Sequence, residues 1–277
     1  MLTFPELTAA VEIGLIYGIL AIGIYLTFRT INFPDLTCDG SFITGAAVSA
    51  VIIKCGYNPY LALLAAALGG GLGGLFTGIL NVYMKIEDLL SGILVSFMLY
   101  SVNLRIMGTS PNLTLTDETT IFSYGNPLLI ACIIIVVLVA FWAYLLNTDF
   151  GLGLRSTGQN RQFAAASGVN VNSMRIFGLA ASNAMVGICG ATFTQYQGFC
   201  DVSQGMGSLV IGLASVIIGE KLLNRFNSFV ACIAGSVAYR IFIAFAIHSD
   251  IFGLKTQDLN LVTGLLIIFI MKRKKTC

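Results

Sequence analysis

Apolar runs recur along the chain at a spacing that predicts membrane-crossing helices. Bounded by charges or by Gly, Pro and Asn clusters, they fall near 9–28, 41–53, 60–84, 89–107, 127–146, 176–195, 205–219, 226–247 and 259–271. A hydrocarbon layer about 30 Å thick takes about 20 helical residues to cross, so the chain holds about nine segments with short connections. The expected fold is an all-α polytopic membrane protein, a single transmembrane domain over 1–277. The stretch Met1 to Ala10 has no basic residues ahead of its apolar run, which makes the first segment a retained helix rather than a cleaved signal.

Two of the runs, 41–53 and 205–219, are too short to cross, since at 1.5 Å per residue they reach about 20 Å. They also resemble each other. Cys38-Asp39 precedes a run ending Ser49-Ala50-Val51-Ile52-Ile53, and Cys200-Asp201 precedes one ending Ala214-Ser215-Val216-Ile217-Ile218. Alternating sides makes the two run in opposite directions, the pattern of two short, broken helices in an inverted-repeat arrangement. The alternative is a chance match between stretches rich in Ala, Ser, Val and Ile. Broken helices are tolerated in a membrane only where the freed backbone lines a cavity or is packed in protein.

Charge fixes the expected orientation. With the N-terminus outside, Arg29, Lys85, Arg155, Arg161, Arg175, Lys221, Arg225, Lys272, Arg273, Lys274 and Lys275 fall on one side. Lys54, Arg105 and Lys255 fall on the other, and Arg240 lies within a span. An excess of Lys and Arg marks the cytoplasmic side, so the C-terminus is expected in the cytoplasm. The cationic tail can also touch anionic lipid.

Composition narrows the function classes. With 57% hydrophobic and 10% charged residues and a mean hydropathy of +0.89, the chain cannot cover a water-soluble surface. The seven cysteines, scattered without a CxxC pair, read as small buried hydrophobes rather than a metal site or a disulfide framework. His248 reads as a solvated residue at a helix end. There is no HExxH, GxSxG or Walker motif, so no enzyme chemistry and no ATP hydrolysis are expected of this chain. The glycines of 69–74 lack the Lys-Ser/Thr of a phosphate loop and sit inside a span. They belong instead to a ladder of small residues, Ala62, Ala66, Gly70, Gly74 and Gly78, that lets another helix approach closely. Ala180, Ala184, Gly187 and Ala191 repeat the device in the sixth span.

Polar residues near mid-membrane are the candidates for a solute path, because buried polar groups need partners or a cavity. Asp35, Thr37, Asp39 and Ser41 cluster at the first break, and Gln195, Gln197, Asp201, Ser203 and Gln204 at the second. Asp39 and Asp201 read either as helix caps or as ligand contacts. Asn81, Ser91, Ser96, Tyr100, Ser101, Asn103 and Asn183 read either as a polar path or as interhelical hydrogen bonds.

The long polar loop, 147–175, is the sharper signal. Asn160 is placed to cap a short helix over Arg161, Gln162, Phe163, Ala164, Ala165 and Ala166, stopped by Gly168 in the left-handed position. Asn172 or Ser173 then caps the next span. Such a helix, lying across the cytoplasmic face with small Ala side chains and one Phe, suits insertion into a partner's groove. The alternative is a surface helix that touches only headgroups.

At Phe150-Gly151, Leu154-Arg155, Gly158, Asn160, Ala164-Ala165 and Gly168-Val169-Asn170-Val171 the sequence resembles the permease subunits of bacterial ATP-binding cassette (ABC) importers of the branched-chain amino acid and ribose class. The resemblance implies that this loop is a coupling helix, with Arg155, Gly158, Asn160, Phe163, Ala164, Ala165 and Gly168 meeting a cytoplasmic ATPase dimer. It also implies a second permease copy or paralogue, an extracytoplasmic substrate-binding protein and a bacterial inner-membrane location. ATP and magnesium would sit on the ATPase, leaving this chain with no cofactor, metal or nucleic-acid partner. Branched-chain permeases typically follow the first span with an Asn-Phe-Ala-His-Gly run. Here Ile31-Asn32-Phe33 is followed by Pro34-Asp35-Leu36-Thr37-Cys38-Asp39, a departure that resembles a subgroup of amino acid permeases, some associated with aromatic amino acid uptake. A gradient-driven carrier is the alternative; it needs buried ion-binding carboxylates, for which Asp39, Asp201 and Glu220 are the candidates. A membrane scaffold with no transport role is the third reading.

Overall fold

The computed structural model describes residues 4–116, 118–223, 228–248 and 264. Ten α-helices fill these residues: α1 Phe4–Tyr25, α2 Cys38–Lys54, α3 Pro59–Val82, α4 Asp88–Ile106, α5 Pro127–Leu146, α6 Asp149–Gln159, α7 Arg161–Ala166, α8 Val171–Gln197, α9 Ser208–Leu222 and α10 Ser228–His248. Six, α1 with its extension to Ile31, α3, α4, α5, α8 and α10, are long and apolar enough to cross a membrane. At 17 and 15 residues, α2 and α9 are the two short helices expected from the sequence. The run at 259–271, and with it Arg225, Lys255 and the basic tail, lies outside the described residues.

Local chemistry explains the helix ends. Asn58 and Asn126 each accept a bond from a first-turn N–H, with Pro59 and Pro127 at the first helical position, where a missing N–H costs nothing. The first span ends in a π-helical turn, Leu26–Ile31, closed by Asn32 at φ 56°. Pro34 then prevents the helix from resuming. α8 starts earlier than expected: Asn170, not Asn172 or Ser173, is the cap, its Oδ1 accepting from Ser173 N at 3.2 Å. One element departs from the all-α expectation, a two-stranded antiparallel clip of β1 Asn112–Thr114 with β2 Phe199–Asp201. It ties the segment after α4 to the segment after α8.

Close packing is concentrated on α8, whose most apolar stretch is 67% buried. A Cβ added at Gly70 or Gly74 would collide with the backbone carbonyls of Asn183 and Leu179, and one at Gly78 would stand 2.9 Å from Ile176 Cα. The small-residue ladder of α3 therefore lies directly against α8 along its length. On the other side of α8, Gly187 and Gly190 meet α2 at Gly45 and Phe42 just as tightly. Around this three-helix core α1 packs Ile16, Ile19, Leu20 and Ile24, all fully buried. By contrast α4 and α5 are only 22% and 17% buried, and they differ in character: mean hydropathy is 1.6 for α4 and 3.0 for α5. α5 has the surface of a lipid-facing helix, whereas α4 exposes Tyr100 and Ser101 beside Phe97.

Candidate permeation site and coupling surface

The linker 32–37 between the π-turn and α2 is held by a buried carboxylate. Asp35, fully buried, accepts from the Thr37 N–H at 2.8 Å through Oδ1 and from Asn183 Nδ2 of α8 at 2.6 Å through Oδ2. Thr37 bonds Thr77 of α3 hydroxyl to hydroxyl at 2.7 Å, and Ser96 of α4 donates to Leu36 O at 2.7 Å. Three helices, α3, α4 and α8, thus converge on one broken segment, and its polar groups are satisfied by protein rather than by lipid. Hydrogen bonds of this kind contribute about 0.5–1.5 kcal/mol each and cost more to leave unmade when buried, so Asp35, Thr37 and Asn183 form the fixed point of the break.

Asp39 does something the sequence cannot show. It lies in the first turn of α2, yet its carboxylate caps α9: Oδ1 accepts from Leu209 N at 2.9 Å and Ser208 Oγ at 2.8 Å, and Oδ2 from Gly207 N at 3.2 Å. The first free N–H groups of one short helix are therefore satisfied by the other. Asp201 is used locally instead, accepting from Ser203 N at 2.7 Å and from the Ser203 hydroxyl. Gln195 is buried near the clip, accepting from Ile121 N and donating to Ser49 Oγ and Pro59 O. Ser41 is buried, its Oγ 3.0 Å from where a Gly73 Cβ would stand, and has no hydrogen-bond partner.

Of the residues proposed for a path, Asp39, Ser96, Tyr100 and Asn103 come together. They line a cavity of about 580 Å³ between α2, α4 and the turn before α9. Ser96 and Tyr100 add hydroxyls, and Ile43, Ile93, Phe97 and Met206 supply apolar wall. Asp35, Thr37, Ser41, Asn183, Gln195 and Asp201 are not among its lining residues. Sequence reasoning missed the apolar wall, Met206 and Val202 above all, because the cavity needs α9's approach to α2 to exist.

At the opposite end from the β clip lies the basic face. The Arg29 guanidinium pairs with Glu220 of α9, and Asp88, opening α4, receives three groups: Asn81 Nδ2 at 2.6 Å, Arg175 at 2.9 Å and Arg161 at 3.6 Å. Arg175 also stacks over the Phe33 ring, 5.3 Å from its centroid, which links this cluster to the first break. α7 begins and ends where the sequence places it. Asn160 Oδ1 accepts from Gln162 N and Phe163 N, and Gly168 takes φ 85° while Val169 N bonds back to Ala164 O. The preceding stretch is a second helix, α6, rather than a loop. Gly158 on α6 is packed so closely that a Cβ there would strike Thr30 O of the π-turn. Phe163 is 66% exposed and Arg155, Asn160, Ala165 and Gly168 are exposed too, whereas Ala164 is fully buried against the chain's own body. The Ala face is split: one methyl anchors the helix, and the others face outward.

Among the described residues no group of His, Cys, Asp and Glu is arranged to hold a metal ion, and six free cysteines are present. Interrupted spans around a largely apolar cavity with a few polar groups, and a capped platform at the basic end, are the architecture of a helical membrane permease. Residues 8–271 match the family described as branched-chain amino acid transport system / permease component, and the chain belongs to that family. It is a permease component of an ABC import system. It is 40% identical over 259 residues to a protein described as the tyrosine transport system permease protein of Clostridioides difficile (strain R20291), covering 92% of this chain and 86% of that one. An uncharacterized protein of Rickettsia prowazekii (strain Madrid E) is 32% identical over 282 residues, covering 97% and 98%. The autoinducer 2 import system permease protein of Escherichia coli (strain K12 / DH10B) is 28% identical over 243 residues, covering 85% and 70%. No solved structure matches the chain.

Proposed function

We propose that this permease moves an amino acid, with aromatic amino acids the favoured class, inward across a bacterial inner membrane. The relative named for tyrosine transport supports the solute class, and the departure from the branched-chain pattern at Pro34–Asp39 agrees with it. A cytoplasmic ATPase dimer, carrying ATP and magnesium, docks on α7, and an extracytoplasmic binding protein delivers solute at the end that carries the β clip. Arg155, Arg161 and Arg175 around α6 and α7 support a cytoplasmic basic end, an outside N-terminus and a cytoplasmic C-terminus. An inverted repeat is supported by the two short helices, each with a Cys-Asp pair at or before its start: Cys38-Asp39 opens α2, and Cys200-Asp201 lies in β2 ahead of α9.

The observation that carries the docking role is α7 itself: capped at both ends, anchored by Ala164 and presenting Phe163 to the outside. Its connection to the bundle runs through Arg161 to Asp88, and from Asp88 to the pathway helix α4 and to Arg175 over Phe33. Displacement of α7 by the ATPases would therefore act on the break and on α4 together. Switching requires contacts that differ between two states. The Arg161 pair, with Arg161 about half exposed, is of the surface kind worth about 0–1 kcal/mol and is readily remade. A gradient-driven carrier finds less support, since Glu220 is engaged by Arg29 and Asp201 by its own turn.

The test is co-purification of the tagged chain with its ATPase in detergent, comparing wild type with a variant whose 162–167 segment is a Gly/Ser linker. Retention by wild type and loss by the variant is the expected result. Equal retention by both would remove α7 from the docking role.

A further inference from the structure

We infer that the cavity between α2 and α4 is a binding station within the permease itself, selective for a solute with a primary ammonium group on an aromatic or large aliphatic body. The inference rests on the transport reading and adds to it a chemical selectivity that belongs to this chain.

Two residues that carry acceptors, Asp39 and Asn103, line the cavity, and among the described residues no Lys or Arg lines it with them. Asp39 carries a carboxylate whose partners are the N–H groups and Ser208 hydroxyl at the start of α9, and the ion pairs among the described residues go to Glu220 and Asp88 instead. Asn103, fully buried, donates through Nδ2 to Gly40 O at 3.3 Å, and its Oδ1 has no partner. A buried amide oxygen left unpaired is costly, and a donor entering the cavity satisfies it. An ammonium, with three N–H donors and a positive charge, answers both groups at once.

The site offers nothing comparable to a carboxylate. No described Lys or Arg lines the cavity, the Asp39 carboxylate in the first turn of α2 repels an anion, and at α9 the N–H groups of Gly207 and Leu209 are already held by Asp39. The remaining wall is apolar, with Ile43, Ile93, Phe97, Val202 and Met206, and the volume of about 580 Å³ lies in the range of small-molecule sites. A lipid acyl chain would fill that wall but leave Asn103 Oδ1 and the Asp39 charge unanswered.

The experiment is equilibrium binding of radiolabelled tyramine to the purified permease–ATPase complex in lipid nanodiscs, without binding protein. Saturable binding is expected, competed by tyrosine and not by 3-(4-hydroxyphenyl)propanoate. Asn103→Leu should weaken it at least tenfold, and Asn103→Asp, which keeps the size and adds charge, should tighten it severalfold. Absence of saturable tyramine binding, equal competition by the propanoate, or wild-type affinity in both variants would each overturn the station. Failure of the transport reading is read separately, as absence of ATP-driven tyrosine uptake when the same complex is reconstituted in vesicles with its binding protein.

Discussion

Gly168 and Gly74 show how the same residue type answers to different physics. A Cβ at Gly168 would meet nothing within 4 Å, so the only cost of a side chain there is its φ of 85°. That cost is about 1–2 kcal/mol for ordinary residues, highest for β-branched ones and small for Asn. Substrate-stimulated ATPase activity should therefore fall in the order Asn, Ala, Val at position 168, with Gly168→Val severalfold below wild type and the thermal midpoint of the purified permease little changed. Gly74 is the reverse case, because a Cβ there strikes the Leu179 carbonyl and stands 2.7 Å from Asn183 Cβ. Gly74→Val must separate α3 from α8, at a cost of about 3 kcal/mol or more for an overpacked backbone contact. Loss of the monodisperse peak in detergent size exclusion, or a midpoint lowered by many degrees, is the expected readout. Much of this scale was legible from sequence. The cap at Asn160 and the stop at Gly168 are local chemistry, whereas Asp39 capping α9 pairs groups far apart in the chain and leaves no trace in either segment alone.

At the scale of elements, hydropathy located the spans because the bilayer sets their length, and it located the two short helices for the same reason. It did not find α6, whose glycines at 151, 153 and 158 lower helix propensity and whose apolar face is short. Those glycines make sense only in the assembled bundle, where Gly151 closes on Leu146 and Gly158 on the π-turn. The β clip was equally hidden, since three-residue strands carry no periodic pattern. The Asp88 cluster is an element-scale device of the same kind, joining α3, α4, α7 and α8. Its two arginines are not equivalent: Arg175 is nearly buried, and Arg161 is about half exposed. Asp88→Asn leaves Arg175 with a weakened partner and should destabilise the permease by about 1–3 kcal/mol. Arg161→Gln should change stability by less than about 1 kcal/mol yet reduce substrate stimulation of the ATPase. Thermal midpoints and stimulated ATPase rates of both variants separate the two roles. A stability loss from Arg161→Gln as large as that from Asp88→Asn would make Arg161 a structural residue.

For the whole molecule, the distribution of exposed surface bears on where the second permease copy of the proposed transporter would pack. α4 and α5 are the least buried of the long helices, and lipid can cover α5, which is apolar over its full length. It covers α4 poorly, because Tyr100, Ser101 and the mouth of the cavity lie on the exposed side. A second copy placed there would cover the cavity's exposed side and put the two α4 helices face to face. The pairing is testable by single cysteines introduced in a background with Cys55 and Cys132 replaced by Ala. Ser101→Cys on α4 should give a copper-phenanthroline-dependent dimer on non-reducing gels, and Val137→Cys on α5 should remain monomeric. Cross-linking through α5 alone would move the interface to the lipid-like face and leave the cavity open to the bilayer. Cross-linking at Ser101 that falls when solute is added would further place the solute between the two copies, because the occupied state then changes the distance between the α4 helices.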